Sequence, residues 1–186
     1  MQHATVLSGF GGQGALFAGM LLAYAGMDQG KHVTWMPSYG PEMRGGTAHV
    51  VVIISDEPVA SPVVRHPDAV VALNIPSLQK YEPLVKKGGV LVYNSSLISD
   101  PPTRSDVRCL AVPANDIASE LGNARLANMV ALGALIAATH VLPLEGVMQT
   151  LDTHLVPEKR SLLELNLQAL QRGAQLVDMM TVHTVN

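Results

Sequence analysis

Residues 9–14 read Gly-Phe-Gly-Gly-Gln-Gly, between a short apolar run at residues 4–7 and a helix-like segment at residues 15–26. A strand, a glycine turn and a helix in this order form the setting in which a Gly-x-Gly-x-x-Gly spacing binds phosphate. Glycine lets the backbone turn tightly and lets a phosphate approach without meeting a Cβ, while the helix presents free N–H groups to the anion. The alternative is a glycine turn kept only for strand–helix packing. The candidate ligand-binding residues of this turn are Gly9, Gly11, Gly12, Gln13 and Gly14.

A second glycine-containing loop, residues 37–47, follows the next apolar run and supplies further candidates. Arg44 stands beside two glycines, and its planar guanidinium suits a phosphate or a carboxylate. A loop arginine that caps a helix or forms an interface salt bridge is an equal alternative. Because ligands of open α/β sheets bind at the carboxyl ends of the strands, we expect both loops to face one crevice. The candidate residues of this second loop are Arg44, Gly45, Gly46 and Thr47.

Other polar residues follow predicted strands at the same edge. Asn74 suits either a ligand contact or a helix cap, and Asn94 suits either a ligand contact or a turn. A nicotinamide dinucleotide site normally has an acid at the end of the second strand, and none occurs there. Asp28 falls about one turn too early and is expected at a helix end, which disfavours an NAD-dependent dehydrogenase.

The sequence offers little for metals or thiol chemistry. Cys109 is the single cysteine, so this chain alone provides neither an internal disulfide nor the ligands of an iron–sulfur cluster. Its apolar surroundings predict an inert thiol in a buried strand. The seven histidines show no metal-ligand spacing, and we expect His3, His66 and His183 to face solvent.

Composition favours one compact domain over residues 1–186 and excludes several classes of function. The chain is 48% hydrophobic but only 4% aromatic, which predicts an aliphatic core. Its net charge is −3 without a basic run, so nothing indicates binding to nucleic acid or to an anionic membrane surface. We find neither a signal peptide nor a membrane-spanning segment and expect a cytoplasmic protein.

The elements that must position these residues alternate along the first part of the chain. Strands are predicted at residues 5–7, 32–35, 49–54, 69–73, 90–93 and 107–112. Helices are predicted at residues 16–29, 77–87, 117–121, 124–139, 144–155 and 159–176. The connection over residues 36–48 is too short and too rich in Gly and Pro for a crossover helix, so the third strand is expected to run antiparallel. The fold class is therefore α/β: a Rossmann-like, three-layer mixed sheet with helices on both faces and a helical C-terminal part.

Three segments together resemble the gamma subunit of 2-oxoacid:ferredoxin oxidoreductases, a family that includes enzymes for 2-oxoglutarate, pyruvate and ketoisovalerate. They are residues 9–14, residues 38–48 (Ser-Tyr-Gly-Pro-Glu-Met-Arg-Gly-Gly-Thr-Ala) and residues 123–133 (Asn-Ala-Arg-Leu-Ala-Asn-Met-Val-Ala-Leu-Gly). The likeness covers about residues 4–173. Residues 39–47 are its most specific part.

The resemblance implies a hetero-oligomeric enzyme that oxidatively decarboxylates a 2-oxoacid, with 2-oxoglutarate favoured, to its acyl-coenzyme A. It implies that thiamine diphosphate with Mg²⁺ and the iron–sulfur clusters belong to other subunits, and that electrons leave to ferredoxin. The chain lacks a Gly-Asp-Gly element, so we expect no catalytic residue in it and no activity alone. The two loops would help to close the active site and contact coenzyme A, or would only mediate assembly. A stand-alone nucleotide-binding module and an NAD(P)-dependent oxidoreductase are the alternatives.

Overall fold

The computed structural model describes residues 1–39 and 47–183, apart from the side chains of Tyr39 and residues 181–183. The strands are β1 (Gln2–Phe10), β2 (His32–Tyr39), β3 (Thr47–Ser55), β4 (Ala69–Ala72), β5 (Val90–Asn94) and β6 (Arg108–Val112). The helices are α1 (Ala15–Asp28), α2 (Ile75–Tyr81), α3 (Ala114–Glu120), α4 (Ala127–Thr139), α5 (Leu144–His154) and α6 (Leu163–His183).

The six strands form one sheet in the order β2-β3-β1-β4-β5-β6. Strands β1, β4, β5 and β6 are parallel, whereas β3 runs antiparallel to both β1 and β2. The mixed sheet predicted from the short connection between β2 and β3 is therefore confirmed. The physical reason is that a parallel neighbour requires a crossover, whereas an antiparallel neighbour requires only a turn.

The two faces of the sheet are covered unequally. A large apolar cluster joins one face to α1, α3, α4, α5 and α6, and a smaller cluster joins the other face to α2 and the segment that follows it. Helix α4 lies inside the larger cluster, with 11 of its 13 residues buried. Burial on all sides is what an α-helix that is apolar all round requires, since it has no polar face to turn to water.

Three helix predictions had wrong ends, and the last helix also runs on to His183, beyond its predicted end at residue 176. The second helix ends at Tyr81 and continues only as a 3₁₀ turn, Glu82–Leu84, because Pro83 within that turn has no backbone N–H to continue the α-helix. The fourth and the last helices each begin with a 3₁₀ segment, Ala124–Leu126 and Pro157–Leu162. Within the described ranges, no helix is long and apolar enough to cross a lipid bilayer.

Candidate functional site

The carboxyl ends of the four parallel strands meet at one edge of the sheet, and the candidate residues lie there. Strand β1 leads into the glycine turn, β4 leads to Asn74, β5 ends at Asn94 and β6 leads into α3. In an α/β sheet this edge is the usual ligand-binding position, since the turns between strands and helices leave their backbone groups exposed there.

The glycines of the turn serve different purposes. A Cβ on Gly9 would lie 2.8 Å from Gln13 Oε1, and a Cβ on Gly14 would lie 2.4 Å from Asn128 Nδ2. These two glycines therefore allow close packing. Gly12 has a φ of +99°, and a Cβ there would meet nothing within 4 Å, so this glycine leaves open space at the surface of the turn.

The side-chain amide of Gln13 stabilises the glycine turn through hydrogen bonds. Its Oε1 accepts hydrogen bonds from the Phe10 N–H (2.7 Å) and from Asn74 Nδ2 (2.9 Å). Its Nε2 donates to the Leu73 carbonyl at 3.4 Å. These bonds tie the turn after β1 to the loop after β4. Gln13 therefore positions the two loops, and its role as a ligand contact stays a prediction.

Asn74 and Asn94 also hold neighbouring segments together. Asn74 caps α2 by accepting the Ser77 N–H at 2.9 Å, while its Nδ2 donates to Gln13. Asn94 is buried; its Nδ2 donates to Asn115 Oδ1 at 2.7 Å and its Oδ1 accepts the Ala114 N–H at 3.2 Å. Asn94 therefore links β5 to the start of α3.

A small cavity of about 170 Å³ opens between these segments. Its lining residues come from the glycine turn, the ends of β4 and β5, the start of α3 and the start of α4: Gly12, Gln13, Leu73, Asn94, Asn115, Ala124, Arg125 and Ala127. Arg125 is exposed and has no ion-pair partner among the residues that the structure describes. Sequence analysis missed Asn115 and Arg125 as site residues. The signals for them were a polar residue just after β6 and an arginine inside residues 123–133.

The second candidate loop leaves the sheet at the same edge. Thr47 is the register partner of Phe10, the last residue of β1, and Tyr39 is the partner of Ala48. Thr47 therefore lies beside the start of the glycine turn. Arg44, Gly45 and Gly46 lie outside the described residues.

The remaining candidates are accounted for by local structure. Asp28 is the last residue of α1, as expected, and its carboxylate accepts a 2.7 Å hydrogen bond from Thr150. Cys109 is only half-buried, because β6 is an edge strand. Burial nevertheless raises the pKa of its thiol, which contacts the carbonyls of Arg104 and Val107.

Within residues 1–39 and 47–183, no three His, Cys, Asp or Glu side chains form a group that could hold a metal ion.

The histidine predictions were partly wrong. His66 is exposed as expected, and the side chain of His183 lies outside the description. His3 is instead half-buried on the central strand β1, and its Nε2 is shielded without a hydrogen-bond partner among the described residues. Burial is the largest cause of its lowered pKa, and the negative charge of Asp68 opposes that shift.

A family model described as pyruvate ferredoxin/flavodoxin oxidoreductase matches residues 4–176. The chain belongs to this family. The resemblance noted from three short segments thus extends over nearly the whole chain.

Members of the pyruvate ferredoxin/flavodoxin oxidoreductase family resemble this chain over different shares of their length. A ketoisovalerate oxidoreductase subunit VorA from Methanothermobacter thermautotrophicus is 41% identical over 91% of this chain. The match spans only 35% of that protein, so this chain corresponds to about a third of it. A 2-oxoglutarate synthase subunit KorC from Methanocaldococcus jannaschii is 38% identical, with 95% of this chain and 94% of that protein aligned.

A solved structure within the family has the same fold. It is the gamma subunit of a keto/oxoacid ferredoxin oxidoreductase from Geobacter sulfurreducens, superposed with a TM-score of 0.81 at 34% identity. The superposition covers 94% of this chain and 98% of that one. The mixed sheet with its helical C-terminal part is therefore the fold of a separate gamma subunit.

Proposed function

We propose that this chain is the gamma subunit of a multi-subunit 2-oxoacid:ferredoxin oxidoreductase that acts in the cytoplasm and forms an acyl-coenzyme A. One observation carries the proposal: the chain matches separate KorC and gamma-subunit chains over nearly their whole length. Partner subunits would supply the thiamine diphosphate with Mg²⁺, which decarboxylates the oxoacid, and the iron–sulfur clusters, which pass electrons to ferredoxin.

The described side chains fit this division of labour. The half-buried Cys109 thiol, with its raised pKa, is a poor source of the thiolate that a cluster requires. The Arg125 guanidinium and the Asn115 amide line the cavity at the carboxyl edge of the sheet, and both can donate hydrogen bonds to a phosphate-bearing cofactor. The chain would therefore complete or close the active site and would not carry its redox centres.

An exposed edge supports assembly with other subunits. Strand β2 pairs only with β3 in the described sheet, and it exposes about two-fifths of Trp35 and Met36. Large apolar side chains on a free edge strand are typical of a surface that a partner covers.

The two glycine-containing loops are proposed to contact coenzyme A where the subunits meet. Gly9, Gly11, Gly12, Gln13 and Gly14 would shape one wall, and Arg44, Gly45, Gly46 and Thr47 the other. The test is Arg44→Ala in the assembled enzyme, with Arg160→Ala as the control because Arg160 pairs with Asp152 on an exposed segment. A raised KM for coenzyme A in Arg44→Ala alone supports the contact. Unchanged KM and turnover would mean that the loop only mediates assembly.

The substrate is proposed to be a 2-oxoacid, and the initial expectation of 2-oxoglutarate remains a prediction. Relatives that carry the names of ketoisovalerate and 2-oxoglutarate enzymes are similarly close to this chain, at 41% and 38% identity. Oxidation rates of the purified complex with 2-oxoglutarate, pyruvate and 3-methyl-2-oxobutanoate distinguish these substrates. The highest kcat/KM with 2-oxoglutarate would support that expectation.

The whole proposal is tested by purifying the tagged chain from its native host without oxygen. Co-purifying chains with iron–sulfur absorbance and coenzyme A-dependent oxidation of a 2-oxoacid are the expected result. A chain that purifies alone and binds NAD or another nucleotide would overturn it.

A further inference from the structure

A groove of about 650 Å³ opens at the amino ends of the parallel strands, at the opposite end of the sheet from the glycine turn. Its walls are the start of β1, the irregular segment at residues 63–68 before β4 and the segment at residues 83–87 before β5, with Arg104 beside them. We call it the basic groove. At about 30 Å³ per water molecule it has room for roughly twenty waters, so its volume suits an occupant larger than one small anion.

Positive charge dominates the basic groove, although the whole chain carries a net charge of −3. Four of its lining residues are Lys or Arg, and one is a carboxylate. That carboxylate, Asp68, is neutralised by Lys86 at 2.9 Å, and Arg104 pairs with a carboxylate outside the groove. Arg65 and Lys87 are exposed and have no ion-pair partner in residues 1–39 or 47–183. These two uncompensated cations favour a negatively charged occupant.

The main chain beside these cations is unpaired. The N–H and C=O groups of residues 64–66 make no backbone hydrogen bond within the described part of the chain. A second polypeptide segment offers both donors and acceptors to such groups, whereas a small polyanion offers acceptors alone. Val63 exposes 70% of its surface at the same place and adds an apolar contact that a small polyanion would not use. The combination therefore favours a peptide over a small anion.

We propose that the basic groove binds an extended, acidic segment of a partner subunit. Carboxylates of that segment pair with Arg65 and Lys87, and its main chain forms hydrogen bonds with residues 64–66. The charge pairs select the segment and fix its register, while the main-chain bonds add affinity. The identity of the partner as a subunit of the oxidoreductase rests on the proposed function, but the chemistry of the groove does not.

The first experiment is carbodiimide cross-linking of the purified complex, followed by mass spectrometry. Carbodiimide joins a lysine amine to a carboxylate only where the two are in contact. We expect Lys87 to be linked to Asp or Glu residues of one segment of a partner subunit. Arg65→Glu should lower the yield of this link about fivefold or more, because it repels the segment and leaves the reacting lysine in place. Lys80→Glu is the control, since Lys80 is an exposed lysine of α2 outside the groove, and it should leave the yield unchanged. In an intact complex, a Lys87 that links to no carboxylate, or only to carboxylates of its own chain, would overturn the proposal.

The second experiment uses the full chain expressed without partners and a fluorescein-labelled hexaglutamate peptide. Fluorescence anisotropy at low salt should give a Kd that rises about tenfold or more when Arg65→Glu and Lys87→Glu are combined, and that is unchanged in Lys80→Glu. An unchanged Kd in the combined variant would contradict the proposal. Inorganic triphosphate that binds more tightly than the peptide would also overturn it, by assigning the groove to a small anion. This titration needs no catalysis, so an Arg65-dependent Kd in a protein that oxidises no 2-oxoacid would reject only the proposed function.

Discussion

Replacing Gly14 by alanine tests whether this glycine serves packing. Gly14 has a φ of +80°, and an added Cβ would lie 2.4 Å from Asn128 Nδ2. The same Asn128 amide donates a 3.1 Å hydrogen bond to the Gly14 carbonyl. The substitution therefore imposes a left-handed backbone on alanine and displaces the side chain that holds the turn against α4.

The cost can be estimated from these two effects. A left-handed conformation costs a non-glycine residue about 1–2 kcal/mol. Loss of the Asn128 hydrogen bond adds about 1 kcal/mol. Gly14→Ala should thus lower the free energy of unfolding by about 2–3 kcal/mol. Asn128→Ala alone should cost about 1 kcal/mol, because it loses the same bond.

A double-mutant cycle measured by urea unfolding and circular dichroism checks this reasoning. In Gly14→Ala with Asn128→Ala, the shared hydrogen bond is lost only once, so the double variant should be about 1 kcal/mol more stable than the sum of the two costs predicts. Gly12→Ala is the control. Its Cβ would meet nothing within 4 Å, so its cost should add to that of Asn128→Ala. Additivity within about 0.5 kcal/mol for the Gly14 pair would refute the packing role of Gly14.

Three further predictions follow from buried groups. Gly173→Ala should destabilise the chain despite the better helix propensity of alanine, because the added Cβ would lie 1.9 Å from the Val130 carbonyl oxygen. Gly146→Ala should be tolerated, because its Cβ would meet only the flexible end of the Gln29 side chain. Thermal unfolding of the two variants checks this, and equal losses would contradict it. Burial lowers the pKa of His3 below 6.5, so the unfolded chain binds a proton that the folded chain does not, and stability should fall as the pH drops from 7 to 5. That fall should be smaller in His3→Gln, and an identical pH profile would show that His3 does not contribute. The raised pKa of Cys109 predicts slow alkylation of the folded protein at pH 7.5 and faster alkylation in urea, as measured by mass spectrometry; equal rates would count against a protected thiol.

Much of the fold could be predicted because its strands and connections follow from patterns among residues that are close together in the sequence. All six strands occur at their predicted places, since apolar β-branched runs and glycine or proline breaks depend only on neighbouring residues. The antiparallel direction of β3 followed from the length of one connection. The errors lie at helix ends such as Glu82–Leu84, where a 3₁₀ turn continues the helical path with little change in residue pattern.

The candidate site was predictable only in part. The glycine turn was recognised, but the roles of its members depend on partners far away in the chain. Gln13 was a candidate ligand-binding residue, and only the structure placed Asn74 and Leu73 against its amide. His3 was expected to face solvent, yet it lies within a central strand.

The sequence by itself determined the order of the elements, the mixed sheet and the family, because these follow from periodicity, connection length and short motifs. Only the tertiary structure decided which polar groups meet at the carboxyl edge of the sheet. Asn115 and Arg125 line one cavity with Gly12, although both lie more than a hundred positions from it along the chain. That meeting depends on strand order and on the packing of α3 and α4, and neither leaves a pattern among neighbouring residues.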